Sequence, residues 1–141
     1  MSGCSSGCCC SHNVDEVQEV QAALATWLKA VSSGSPDAVM TLYADDAVLL
    51  PTLAPGVHET AAKRLGYFKV FTANENLQGK VTELHTRVFG DVAINSGLYT
   101  FTFKKDGKDV TAPARFSFVY KKTPLGWMIV DHHSSVVPGG H

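Results

Sequence analysis

From Lys80 to Val136 the chain is an almost unbroken succession of long strand patterns, and that run constrains the fold more than any other feature. Residues 80–89, 92–104, 110–122 and 127–136 are rich in β-branched and aromatic side chains. The breaks between them, Gly90-Asp91, Asp106-Gly107 and residues 124–126, are short turn sequences. Strands joined by such tight turns run antiparallel to their neighbours, because a parallel return needs a crossover of a dozen or more residues. The C-terminal half is therefore a meander of long hairpins.

The first half carries the other periodicity. Asn13 can cap a helix with Glu16 three residues on, and Val17, Val20, Leu24, Trp27, Leu28 and Val31 recur on one face. Ser32, Ser33 and Gly34 end that helix. Ser35 followed by Pro36 starts a second, expected to run to about Tyr43, where Asp45 and Asp46 break it. Residues 47–50 read as a short strand and residues 51–58, with two prolines and a glycine, as a loop. A third helix, about 60–73, sets Leu65 and Phe68 on one side and Arg64, Tyr67 and Phe71 on an adjoining stripe, so Tyr67 borders the buried face. Helices first and an antiparallel meander afterwards is an α+β pattern: a curved sheet wrapped by N-terminal helices into a cone, whose mouth is a natural pocket.

Charge and composition narrow the function classes. Twelve basic against thirteen acidic side chains leave a net charge of −1, which gives no electrostatic footprint for nucleic acid or an anionic membrane. No apolar run approaches a membrane span and no secretory signal opens the chain, which points to the cytosol. All four cysteines fall within the first ten residues. Residues 1–12, almost wholly Gly, Ser and Cys, read as a flexible tail, inert or processed; its thiols could ligate a soft metal or carry a lipid, but adjacent cysteines there fit no defined tetrahedral spacing. Residues 13–138 then form one cysteine-free domain that stands on its hydrophobic core.

The element order, with ARFSFVYKK at 114–122 and GWMIVDHHSS at 126–135, resembles the nuclear transport factor 2-like superfamily. That scaffold hosts steroid isomerases, polyketide cyclases and the association domain of calcium/calmodulin-dependent kinase, so the site must decide function. Three segments, VLLPTLAP at 48–55, RLGYF at 64–68 and HHSSVVP at 132–138, together resemble the iota class of carbonic anhydrases. In that class the ending carries three histidines and two serines; here Asp131 stands in the first histidine's place. The resemblance implies reversible hydration of carbon dioxide, metal-free in some members and metal-dependent in others. It also implies a bicarbonate site made by Thr52, Tyr67 and either Ser134 or Ser135.

The residue chemistry is compatible with that implication. Carbon dioxide gains from an apolar wall, whereas bicarbonate needs hydrogen bonds for its oxygens once water has gone, and hydroxyls on an apolar wall suit both. A tyrosine is a poor base at neutral pH, so His132 or His133 is the natural proton relay. Alternation along a strand puts His132 with Ser134, Met128, Val130 and Val136 on one face and His133 with Ser135, Trp127 and Ile129 on the other. Both faces are partly apolar and the pattern does not choose between them. Adjacent histidines on a strand point apart, so a metal triad is not expected, although His58 or His85 could fold in. No cofactor is called for.

Plainer roles exist for each residue. Thr52 could cap a turn, Tyr67 could be core, and the His-Ser cluster could be a solvated edge. Arg115 is either an anion anchor in the pocket or a surface or dimer ion-pair donor. Tyr99, Phe101, Phe103, Phe116 and Phe118 are core, interface or pocket wall. A non-catalytic binding or association module and a cone-fold isomerase or cyclase, for which Asp131 is the nearest candidate base, stand beside the carbonic anhydrase reading. Two apolar sheet faces imply a homodimer under all of them.

Overall fold

A computed structural model describes residues 8–51 and 54–138, with side chains from Asp15 onward. The elements in chain order are α1 (Cys8–Ser32), α2 (Pro36–Met40), β1 (Tyr43–Leu50), α3 (Ala61–Phe71), β2 (Glu75–Phe89), β3 (Val92–Lys105), β4 (Lys108–Thr123) and β5 (Gly126–Val136). The tail assigned to residues 1–12 lies outside the described residues up to residue 7, and α1 already begins at Cys8, ahead of the Asn13 cap. Ser35 and Thr60 cap α2 and α3 as their types dictate, their hydroxyls accepting from the amides of Ala38 and Lys63. Helix α2 is shorter than expected. After Thr41 the chain turns and Tyr43, placed by sequence at a helix end, opens β1.

The sheet is open and five-stranded, in the order β1-β5-β4-β3-β2. Strands β2 to β5 form the expected antiparallel meander, and β1 adds parallel to β5 at one edge. Asp106 and Gly107, both at positive φ, make the two-residue connection of β3 to β4. Curvature comes from irregularities. The β2–β3 register shifts between Val81 and Glu83, and opposite that point a side chain on Gly97 would stand 2.0 Å from the Glu83 carbonyl oxygen. Only glycine lets the backbones approach so closely there.

A second irregularity shapes the site. Tyr120 pairs with Ile129 and Val119 with Asp131, so Val130 is an extra residue on β5. Strict alternation groups Ile129 with His133; the bulge resets the parity, and Ile129, His132 and Ser134 are buried together. On the other side of β5, β1 spans the same step with the stretch between Tyr43 and Val48. Arg64 from α3 fills the loop this creates. Its guanidinium donates to the carbonyl of Ala47 and to those of Ala44 at 3.2 Å and Asp45 at 3.0 Å. Both terminal nitrogens of this 1% exposed arginine donate to backbone, while its buried Nε has no partner among the described residues, and these bonds fix where β1 delivers Tyr43 and Leu49.

Helix α1 covers the concave face. Val20, Leu24, Trp27 and Val31 are buried as their period demands, and Asn95 of β3 donates to the Val20 carbonyl at 2.9 Å. Against them stand Tyr99, Phe101, Phe116 and Phe118 from the sheet. Losing an indole like that of Trp27 from such a core costs about 3–5 kcal/mol.

Candidate functional site

At the centre of the concave face lies a hollow of about 10 Å³, lined among others by Trp27, Pro51, Tyr67, Tyr99, His132 and Ser134. That is room for about one water. Five side chains form a hydrogen-bonded chain around it. The Trp27 indole donates to Tyr43 Oη at 3.0 Å, and Tyr43 Oη lies 2.7 Å from His132 Nδ1. His132 Nε2 lies 3.3 Å from Tyr99 Oη, which donates to Ser134 Oγ at 2.7 Å. The imidazole is held flat against Phe118, with centroids 3.8 Å apart and 16° between planes, and edge-on to Trp27 at 5.2 Å. These members come from α1, β1, β3 and β5, and only the curl of the sheet brings them together.

Every ionisable member is neutral at physiological pH. Burial pushes the His132 imidazole down to about 3, and nearby His133 adds a smaller push the same way. Burial raises the Tyr43 phenol well above its ordinary range, opposed by the bond from Trp27. It raises Tyr99 likewise, opposed by the bond to Ser134, and also raises Tyr67. This setting holds His132, the expected relay, in its neutral form. An imidazolium is not formed near pH 7, and the chain ends at a buried indole that donates but cannot accept a proton.

Tyr67 lines the hollow from α3 and stacks on Phe71, with centroids 5.6 Å apart and 13° between planes. Beyond that pair opens a mostly apolar cavity of about 610 Å³, bordered by His58, Tyr67, Val70, Phe71 and Phe103. Tyr67 and Phe71 thus separate an outer vestibule from the inner hollow. The His58 ring is 6.0 Å from that of Tyr67, and its nitrogens are buried without a hydrogen-bond partner among the described residues.

The sequence-derived candidates divide accordingly. Tyr67, His132 and Ser134 converge on the hollow, whereas His133 and Ser135 lie on the opposite sheet face beside Arg115 and Ser117. Arg115 is exposed and is not a pocket anchor. Asp131 does not line the hollow. Thr52 lies outside the described residues; Pro51, just before it, lines the hollow. Sequence reasoning gave no site role to Trp27, Tyr43 or Tyr99. The one available signal is that Tyr99 shares strand parity with Phe101, which groups the two on one face without revealing a partner. Among the described residues, no group of three or more His, Cys, Asp or Glu side chains is placed to hold a metal ion. Among the same residues, no helix is long and apolar enough to cross a membrane.

A curved open sheet covered by N-terminal helices over a central hollow defines a nuclear transport factor 2-like protein. Residues 16–138 match the calcium/calmodulin dependent protein kinase II association domain, and the chain belongs to that family. A Xanthomonas campestris protein described as such an association domain is 38% identical, with 86% of this chain and 87% of that one covered and a TM-score of 0.81. A CaMKII hub from S. rosetta is 24% identical over 86% of this chain and 96% of its own, with a TM-score of 0.75. A Streptomyces avermitilis protein described as a dehydratase of the NTF2-like family reaches a TM-score of 0.81 at 20% identity, over 90% of this chain and 99% of that one, and it shares the fold alone. The comparison with curated proteins finds no match.

Proposed function

We propose that the hollow holds carbon dioxide and bicarbonate and interconverts them, in the manner of the iota class of carbonic anhydrases. The observation supporting this is that Tyr67 and Ser134, distant in sequence and both supplied by the resemblance, line one apolar hollow. Thr52, the third member, follows Pro51 of the same lining. In the reaction the oxygen of a water bonds to the carbon of carbon dioxide. One C=O electron pair moves onto oxygen to complete bicarbonate, and the surplus proton leaves to bulk water. Hydroxyl donors aimed at the developing negative oxygen stabilise it most where water is excluded. Among the described residues no ionised group lines the hollow to act as base, so in this reading positioning and hydrogen bonding carry the rate. A hollow of about 10 Å³ does not admit a molecule of three or four heavy atoms as it stands. Entry from the vestibule requires the Tyr67–Phe71 stack to shift.

The test is stopped-flow carbon dioxide hydration by the full chain with a chelator present, beside Thr52→Ala, Tyr67→Phe and Ser134→Ala. The expected result is activity that survives chelation and falls by roughly 10²-fold in the variants, the scale for removing one oxyanion donor. Absence of activity in the unaltered chain overturns the reading.

Family membership favours a second reading, an association module that assembles into a symmetric oligomer through the outer sheet face. The family match bears on this reading directly and on catalysis only through the scaffold. For an isomerase or cyclase reading, Asp131, the candidate base, is not among the residues that line the hollow.

A further inference from the structure

The hydrogen-bond chain around the hollow has a direction. An indole nitrogen donates and never accepts, so Tyr43 Oη is the acceptor of its bond with Trp27. The proton of the Tyr43 hydroxyl then has one acceptor among the described residues, His132 Nδ1 at 2.7 Å. Nδ1 must offer a lone pair. A neutral imidazole with Nδ1 bare carries its proton on Nε2, which donates to Tyr99 Oη, and Tyr99 donates onward to Ser134 Oγ. The reverse assignment strands the Tyr43 proton inside the core with no acceptor. The forward one moves the unmatched proton to Ser134, which is buried but lines the hollow, where an occupant can take it.

We propose that Trp27 and Tyr43 are positioning residues that lock His132 as the Nε2–H tautomer, so that Ser134 presents its hydroxyl proton to the hollow and selects an occupant offering an acceptor oxygen, an oxyanion such as bicarbonate. The choice of bicarbonate rests on the reading under Proposed function; the direction of the chain does not. Neither Trp27 nor Tyr43 touches the reacting atoms. They act through His132 and Tyr99, and the orientation of the Ser134 hydroxyl adds a donor for an anion to a hollow whose lining among the described residues is neutral.

The experiment is two-bond ¹H–¹⁵N NMR of the full chain labelled at histidine, near pH 7, with titration of ¹³C-bicarbonate. In the unaltered protein His132 Nδ1 is expected to resonate as an unprotonated, pyridine-type nitrogen and Nε2 as a protonated, pyrrole-type one. Tyr43→Phe keeps the ring and removes only the hydroxyl. It is expected to release His132 into a mixture of tautomers and to weaken bicarbonate binding by roughly tenfold, the scale of one hydrogen bond to a charged group. Ser134→Ala is expected to weaken binding as much while leaving the His132 signature in place, a separation that a purely structural role does not produce. A protonated Nδ1 in the unaltered chain overturns the proposal, as does bicarbonate binding that is absent there or indifferent to Ser134→Ala. The expected tautomer and binding without hydration activity support this inference and overturn the catalytic reading alone.

Discussion

The two faces of β5 carry the same residue types, a histidine and a serine two positions on, yet they have become different chemical groups. His132 and Ser134 are 3% and 4% exposed and belong to one hydrogen-bonded chain under α1. His133 stands in solvent, and Ser135 is half-buried next to Arg115. Burial drives His132 to stay neutral and stacks it between aromatic rings. Residue identity therefore says little about function here. The pleat, reset by one extra residue at Val130, decides which histidine meets the hollow.

The sharpest way to break this contrast is to truncate each histidine in turn. His132→Ala removes a ring stacked at 3.8 Å on Phe118 and leaves the Tyr43 and Tyr99 hydroxyls short of a partner. A loss of about 3–5 kcal/mol is expected in urea unfolding, combining a cavity with unpaired buried polar groups. His133→Ala, at an exposed position, is expected to change stability by less than about 0.5 kcal/mol. Equal losses in the two variants would erase the difference between the faces.

Acid titration sharpens the same contrast with an effect that is smaller over any one pH unit. His132 titrates near 3 when folded, against about 6.5 for a free imidazole. Between those values the unfolded chain binds a proton that the folded one refuses. Stability therefore rises with pH across this window and is lost as pH falls below about 6.5 towards 3, by up to about 1.4 kcal/mol per pH unit. Relative to the unaltered chain, His132→Gln should flatten that slope in chemical unfolding at stepped pH. His133→Gln should leave it alone. An unchanged slope in His132→Gln means that the buried imidazole is not the group responsible.

What could be read beforehand follows from the range of the interactions. The face of α1 through Val20, Leu24, Trp27 and Val31, the cap at Ser35, and the turn at Asp106-Gly107 are local chemistry, and each holds in the structure. The end of α2 was misplaced because its start is marked by Ser-Pro while nothing as strong marks its stop, so Tyr43 was assigned to a helix instead of β1. A bulge leaves no sequence mark in a run such as IVDHH, and so the parity of Ile129 was misassigned. In the site, Tyr67 and Ser134 entered through resemblance. Trp27, Tyr43 and Tyr99 stayed hidden because their partners lie across the sheet at separations that no local pattern encodes.

The smallest effect on the protomer belongs to Arg115, and it divides the two faces by task. Arg115 is exposed, pairs in register with Ser135 and Leu98, and forms no ion pair among the described residues. Arg115→Ala should therefore shift unfolding by less than about 0.5 kcal/mol and leave the proposed carbon dioxide hydration unaffected, since the sheet separates it from the hollow. An arginine on an assembly surface behaves otherwise, because interfaces draw their strength from a few such side chains. Sedimentation velocity on the full chain is expected to show an oligomer for the unaltered protein and a smaller species for Arg115→Ala at the same concentration. That outcome would assign assembly to the outer face and leave the proposed chemistry to the inner one, with Arg115 of β4 on one side of the sheet and His132 and Ser134 of β5 on the other. An unchanged sedimentation profile would remove Arg115 from the assembly surface and leave the association reading to rest on other residues of that face.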